Sequence, residues 1–172
     1  PNVCTIHEIG EHNGRLYLAM ELVEGGSLAD RLRGTPQPPR QAAALVETLA
    51  RAIHAAHEHG IVHRDLKPGN VLMAESPESW VEGQTEAASP PSSGSRPSAL
   101  DSRPLISDFG LAKPLDDDAT QTKSGVILGT PSYMAPEQAG GKTRDIGPAA
   151  DIYSLGAILY ELLTGRPPFR GE

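Results

Sequence analysis

The feature that most limits what this chain can become is a polar octapeptide, His63-Arg64-Asp65-Leu66-Lys67-Pro68-Gly69-Asn70, set between two apolar segments. Upstream, Arg40 to His59 predicts a long helix. Alanines dominate it, and Leu45, Leu49, Ile53 and Ala56 recur at helical spacing. Gly60 ends that helix, with His57 and His59 in its last turn. Downstream, Val71-Leu72-Met73 reads as a short strand. A polar turn after a helix is the plain reading of the octapeptide. Its side chains allow a chemical one. Asp65 can orient a hydroxyl and take its proton, Lys67 can set an ammonium beside an anion, and Asn70 offers a neutral oxygen to a hard cation.

The rest of the chain supplies short elements around this loop. Residues 3–10 and 15–23 read as two strands of a hairpin turning at His12-Asn13-Gly14. Gly25-Gly26 breaks the second strand, and Ser27 can cap a short helix from Leu28 to Leu32. Residues 75–103 change character. Ser, Pro, Glu and Gly dominate around Pro90-Pro91-Ser92-Ser93-Gly94-Ser95, which predicts a disordered insertion. Order returns at Leu105-Ile106. A polar loop follows around Asp116 to Ser124, and Ala149 to Leu163 predicts a second buried helix, ended by Gly165 and Pro167-Pro168.

Charge and cysteine content exclude some classes. A net charge of -7 argues against a nucleic-acid or membrane-surface binder, both of which need a basic field. The single cysteine, Cys4, cannot form an internal disulfide, so a reducing, cytoplasmic compartment is expected. The most apolar stretch, Ile152 to Leu163, carries Ser154 and Glu161 and is too short to span a bilayer. No signal peptide is recognisable, and the chain opens on Pro1 rather than methionine, which suggests a fragment or a processed product.

Three further motifs follow the octapeptide in order: Asp108-Phe109-Gly110, then Gly129-Thr130-Pro131-Ser132-Tyr133-Met134-Ala135-Pro136-Glu137, then Asp151-Ile152-Tyr153-Ser154-Leu155-Gly156. Each alone is a weak signal. Together with the octapeptide, and in this order, they resemble the catalytic loop, metal-binding turn, activation-segment end and central helix of serine/threonine protein kinases, of the kind found in bacteria. The resemblance implies an α+β fold made mostly of the helical C-lobe, with residues 1–23 as the end of the N-lobe and hinge and 24–172 as a partial C-lobe. It implies Asp65 as base, Lys67 as charge stabiliser, Thr130 bonded near both, and Asn70 and Asp108 as Mg²⁺ ligands. It implies Met20 as gatekeeper, backbone contacts to adenine at Glu21 and Val23, Leu72 under the ring, and Ser27 near the ribose. Ile6, His63 and Phe109 match the regulatory spine, and Asp151 supports the catalytic-loop backbone.

The same resemblance implies ATP with Mg²⁺, protein substrates bearing Ser or Thr, and autophosphorylation in trans. A phosphate on Thr120 or Thr122 would pair with Arg64 and order the loop. Two departures stand out. No G-x-G-x-x-G and no lysine for the α/β-phosphates occur at the right place, so the chain reads as truncated at both ends and inactive alone. Glu137 lacks its usual arginine, since Arg166 comes too early. The intact protein is then an enzyme, and a membrane anchor would lie in a segment outside this chain. The competing expectation is a non-catalytic interaction module, which the missing nucleotide clamp favours and the complete catalytic loop disfavours.

Overall fold

The structure is a computed structural model that describes residues 2–75, 100, 102–109, 131–140 and 146–169. Thr120, Thr122, Thr130 and most of the expected insertion lie outside the described residues.

The chain opens with an antiparallel hairpin of β1 (Ile6–His12) and β2 (Arg15–Met20), in register from Glu8 opposite Ala19 to His12 opposite Arg15, with a register shift between Glu8 and Ile6, which faces Met20. Asn13 and Gly14 both take positive φ, 52° and 73°, the combination a two-residue turn needs to match strand twist. The first strand begins later than expected. Val3 and Cys4 leave the hairpin and run beside a different strand: Ile106 N–H donates to Asn2 O, and Cys4 N–H to Ile106 O, each at 2.9 Å. β2 ends at Met20, earlier than expected, after which Glu21 N–H donates to Thr5 O at 2.9 Å.

Helix α1 (Leu28–Leu32) starts as expected at Ser27. Ser27 Oγ accepts from Asp30 N–H at 3.2 Å while Asp30 Oδ2 accepts from Ser27 N–H at 3.0 Å, so two otherwise orphaned donors are satisfied. Just before it, Gly25 passes so close to β3 (Val71–Ala74) that a Cβ there would stand 1.7 Å from Met73 O. Only glycine fits that approach.

Helix α2 (Pro39–Glu58) begins with a proline, whose missing N–H is unneeded in a first turn. Gly60 follows its end at φ 73°, donating to His57 O at 2.9 Å. Strand β3 pairs antiparallel with β4 (Arg103–Ile106), Val71 opposite Ile106 and Ala74 opposite Arg103. Arg103 was expected inside the disordered insertion. Its strand pairing with Ala74 moves the end of that segment back, and Leu100 already packs on the core. A short helix α3 (Pro136–Ala139) precedes α4 (Pro148–Thr164), which closes on Gly165 in the left-handed conformation.

Helices α2 and α4 pack together, and the core forms where they meet the loop and hairpin behind them. Leu49 and Ile53 of α2, Ile158 and Leu162 of α4, Leu28 and Leu32 of α1, and Leu66, Val71, Met73 and Ile106 are all buried in one cluster. Fully burying one such side chain contributes about 1.5–3 kcal/mol. The core therefore lies directly under the octapeptide and fixes it from below.

Candidate active site

Within the octapeptide the chain alternates between core and surface. Leu66 and Pro68 are buried, which leaves Asp65 and Lys67 on the outer side. Lys67 Nζ donates to Asp65 Oδ2 at 2.8 Å. A 3-10 turn over Pro68–Asn70 then brings Asn70 back, so that its Nδ2 donates to Asp65 O at 2.8 Å and to Asp65 Oδ2 at 3.2 Å. A carboxylate with an ammonium and an amide on it is a group held in one orientation. About half of the Asp65 side chain is exposed, so a hydroxyl can reach it.

The backbone behind Asp65 is held by Asp151, which is fully buried near the start of α4. Its Oδ2 accepts from His63 N–H at 2.9 Å and its Oδ1 from Arg64 N–H at 2.8 Å. His57, in the last turn of α2, places Nε2 2.7 Å from Asp151 Oδ2. Arg64 takes φ 67°, a conformation that costs a non-glycine residue and survives only where the surroundings impose it.

His63 is completely buried. Its Nε2 lies 2.9 Å from Ser107 O, and its Nδ1 accepts from Asp65 N–H at 3.3 Å. Those partners require the neutral ring with the proton on Nε2. Burial pushes its pKa below the usual imidazole value, opposed by the Ser107 carbonyl and the Asp151, Asp65 and Asp108 charges. The Phe109 ring packs against His63 in a tilted arrangement, ring centroids 4.7 Å apart at 51°. Ile6, expected in the same spine, is 47% exposed on the hairpin.

Asp108 reaches the loop through the β3–β4 pairing. Ser107 N–H donates to Asn70 O at 2.9 Å, and Ser107 Oγ donates to Asp108 Oδ2 at 3.2 Å. Ser107, the residue before Asp108, is thus bonded to Asn70 although the long polar segment separates them in sequence. Asp108 takes φ 60° and is exposed. Because Asn70 Nδ2 faces Asp65, its amide oxygen is turned the other way. One neutral oxygen and one carboxylate suit Mg²⁺, which takes its remaining ligands from phosphates and water. These residues fit the ion.

The expected nucleotide-facing residues follow from the same frame. Met20 ends β2, and Glu21 and Val23 lead from it toward Gly25. Leu72, half-buried in β3, is bridged to Ser27, with Met73 N–H donating to Gly26 O at 2.9 Å. Ser27 is already engaged, since its hydroxyl also donates to Asp30 Oδ2 at 2.6 Å. Glu137 sits half-buried in α3, and among the described residues it forms no ion pair.

Sequence reasoning missed His57, Ser107 and Gln138 as parts of this site. His57 carried a signal, a histidine at a helix end one short turn before the octapeptide. Gln138 carried none, because its partner Arg64 is 74 residues away. Tyr133 lies within the Gly129 to Glu137 motif. Its hydroxyl donates to Glu161, and burial with that carboxylate pushes its pKa well above the usual phenol range.

A model of the protein kinase domain matches residues 1–172. The chain is 37% identical over 169 residues to the serine/threonine-protein kinase PknJ of Mycobacterium tuberculosis, covering 98% of this chain and 25% of that relative. It is 38% identical over 178 residues to PknA of the same organism, covering 100% of this chain and 35% of that relative. With the serine/threonine-protein kinase pkn2 of Myxococcus xanthus it shares 39% over 173 residues, 99% of this chain and 18% of the relative. A crystal structure of the Mycobacterium tuberculosis PknI kinase domain aligns with a TM-score of 0.67 at 28% identity, over 99% of this chain and 53% of that one. The fold is the α+β fold of a protein kinase. The chain belongs to the protein kinase family, and it spans a quarter of PknJ and about a third of PknA.

Proposed function

We propose that the protein carrying this chain is a serine/threonine protein kinase that transfers the γ-phosphoryl group of ATP to serine or threonine hydroxyls of protein substrates. The observation that carries this reading is Asp65, half-exposed between Lys67 Nζ at 2.8 Å and Asn70 Nδ2 at 3.2 Å, on a loop fixed from behind by Asp151. The substrate hydroxyl oxygen attacks the γ-phosphorus, the bond to the β-phosphate oxygen breaks, and ADP leaves. The hydroxyl proton passes to the Asp65 carboxylate. Lys67 offsets the charge of the transferring group, and Thr130 steadies Asp65 and Lys67. Mg²⁺, when bound by Asn70 and Asp108, neutralises phosphate charge.

Adenine would lie against the backbone of Glu21 and Val23, with Met20 as gatekeeper, Leu72 beneath the ring, and the ribose near Ser27. Residues 1–23 act as the end of the N-lobe and hinge, and 24–172 as part of the C-lobe. Phosphorylation of Thr120 or Thr122, in trans by a second copy, would pair with Arg64 and order the segment. Among the described residues no helix is long and apolar enough to cross a membrane. A free, buried Cys4 and the need for ATP favour a cytoplasmic site of action.

The test uses the full-length protein with radiolabelled ATP and a generic protein acceptor. Asp65→Asn should cut turnover by about a hundredfold or more, since it removes the proton acceptor. Nucleotide affinity should stay within a few-fold. Unchanged turnover in Asp65→Asn would remove Asp65 from the mechanism.

A further inference from the structure

Gln138 makes two contacts that the transfer chemistry does not use. Its Oε1 accepts from Ala135 N–H at 3.0 Å, and its Nε2 donates to Arg64 O at 2.7 Å. The first bond is local and closes the start of α3. The second joins two segments far apart in sequence. It falls on the residue with φ 67° whose N–H is already held by Asp151 Oδ1 at 2.8 Å. Both backbone polar groups of Arg64 are therefore held by side chains from outside the loop, one from α3 and one from α4.

The Arg64 carbonyl shares a rigid peptide plane with Asp65 N–H, which donates to His63 Nδ1 at 3.3 Å. Rotating that plane turns the Asp65 Cα and swings its carboxylate away from Lys67 and Asn70. Ser154 Oγ donates to Tyr133 O at 2.8 Å, so the same stretch of chain is also pinned to α4. We propose that Gln138 is a positioning residue: it ties the peptide entering Asp65 to the segment Pro131–Ala139. The orientation of the base thereby depends on how that segment is seated. The inference rests on the kinase reading for its catalytic consequence, and on geometry alone for the link itself.

Two substitutions separate the bonds. Gln138→Glu keeps the acceptor for Ala135 N–H but, as a carboxylate, has no hydrogen to donate and faces the Arg64 carbonyl with negative charge. Gln138→Met keeps the shape and loses both bonds. In the full-length protein, both should lower kcat by about tenfold to a hundredfold, the scale of a small misplacement of a reacting group. KM for ATP should remain within twofold, because the nucleotide-facing residues lie on other elements. A purely structural role would move KM together with kcat, and that result overturns the inference. So does a Gln138→Met protein with wild-type kcat. If Gln138→Glu is poorly folded, Gln138→Met decides. An activity-independent measurement is amide hydrogen exchange at Asp65, which should be at least several-fold faster in Gln138→Met. Unchanged exchange overturns the link even if wild type and Asp65→Asn prove equally inactive. That last pair of results would defeat the kinase reading instead.

Discussion

Removing Asp151 should cost more than removing any residue of the reacting surface, and the structure sets the scale. The side chain is fully buried and accepts from His63 N–H at 2.9 Å and Arg64 N–H at 2.8 Å, with His57 Nε2 at 2.7 Å. In Asp151→Ala the buried His63 N–H and the part-buried Arg64 N–H lose their partner. Each such orphan costs about 1–3 kcal/mol, so the pair amounts to roughly 2–6 kcal/mol. Whole-domain stabilities are only about 5–15 kcal/mol. Asp151→Asn keeps one oxygen and turns an amide donor toward the other N–H, so its cost should be smaller, about 1–3 kcal/mol. Urea denaturation of the full-length protein followed by circular dichroism measures the difference. With a slope near 2 kcal/mol per molar, the Ala midpoint should fall by roughly 1–3 M and the Asn midpoint by less. His57→Ala removes one bond and leaves the N–H pair satisfied, so it should rank below both. In a double-mutant cycle with Asp151→Ala it should show coupling of about 0.5 kcal/mol or more. An Ala midpoint within about 0.2 M of wild type would mean that Asp151 does not hold the loop, and the argument for a prefixed Asp65 would go with it.

Other outcomes follow from the same geometry. His63 has its pKa lowered by burial, so below about pH 6.5 the unfolded chain binds a proton that the folded one refuses. The stability it contributes is complete above that pH and is lost as pH falls toward the folded value. His63→Phe should therefore flatten the acid side of a melting-temperature profile, and an unaltered profile would refute the assignment. Gly25→Ala puts a Cβ onto Met73 O and should destabilise by about 1–3 kcal/mol or more, read as a lowered urea midpoint. Replacing residues 76–99 with a two-residue turn should leave kcat within about twofold, because Ala74 and Arg103 already pair and loop length enters stability only logarithmically. Asp108→Asn should raise the Mg²⁺ concentration needed for half-maximal turnover by at least tenfold, on the scale of losing one charged ligand.

How much of this could be read in advance depended on whether the information was local. The α2 helix, the Asn13-Gly14 turn and the Ser27 cap are each set by residues within a few positions, and each forms where expected. The exchange of partners at the start of the chain is set elsewhere. Val3 and Cys4 look like part of β1 by composition, but Ile106 offers them a ladder across the core that composition near residue 3 cannot reveal. Arg103 reads as insertion because its neighbours are Ser, Asp and Pro, yet pairing with Ala74 makes it strand. The site divides the same way. Asp65, Lys67 and Asn70 meet because six consecutive residues wrap one turn, so their spacing carried the chemistry. Gln138 meets Arg64 only across a long stretch of chain, and an isolated glutamine announces nothing. What chemistry requires was visible as residue type at short range. What holds that chemistry in place was built from long-range contacts to backbone atoms, which leave little trace in a sequence, because the backbone half of each bond is the same at nearly every residue.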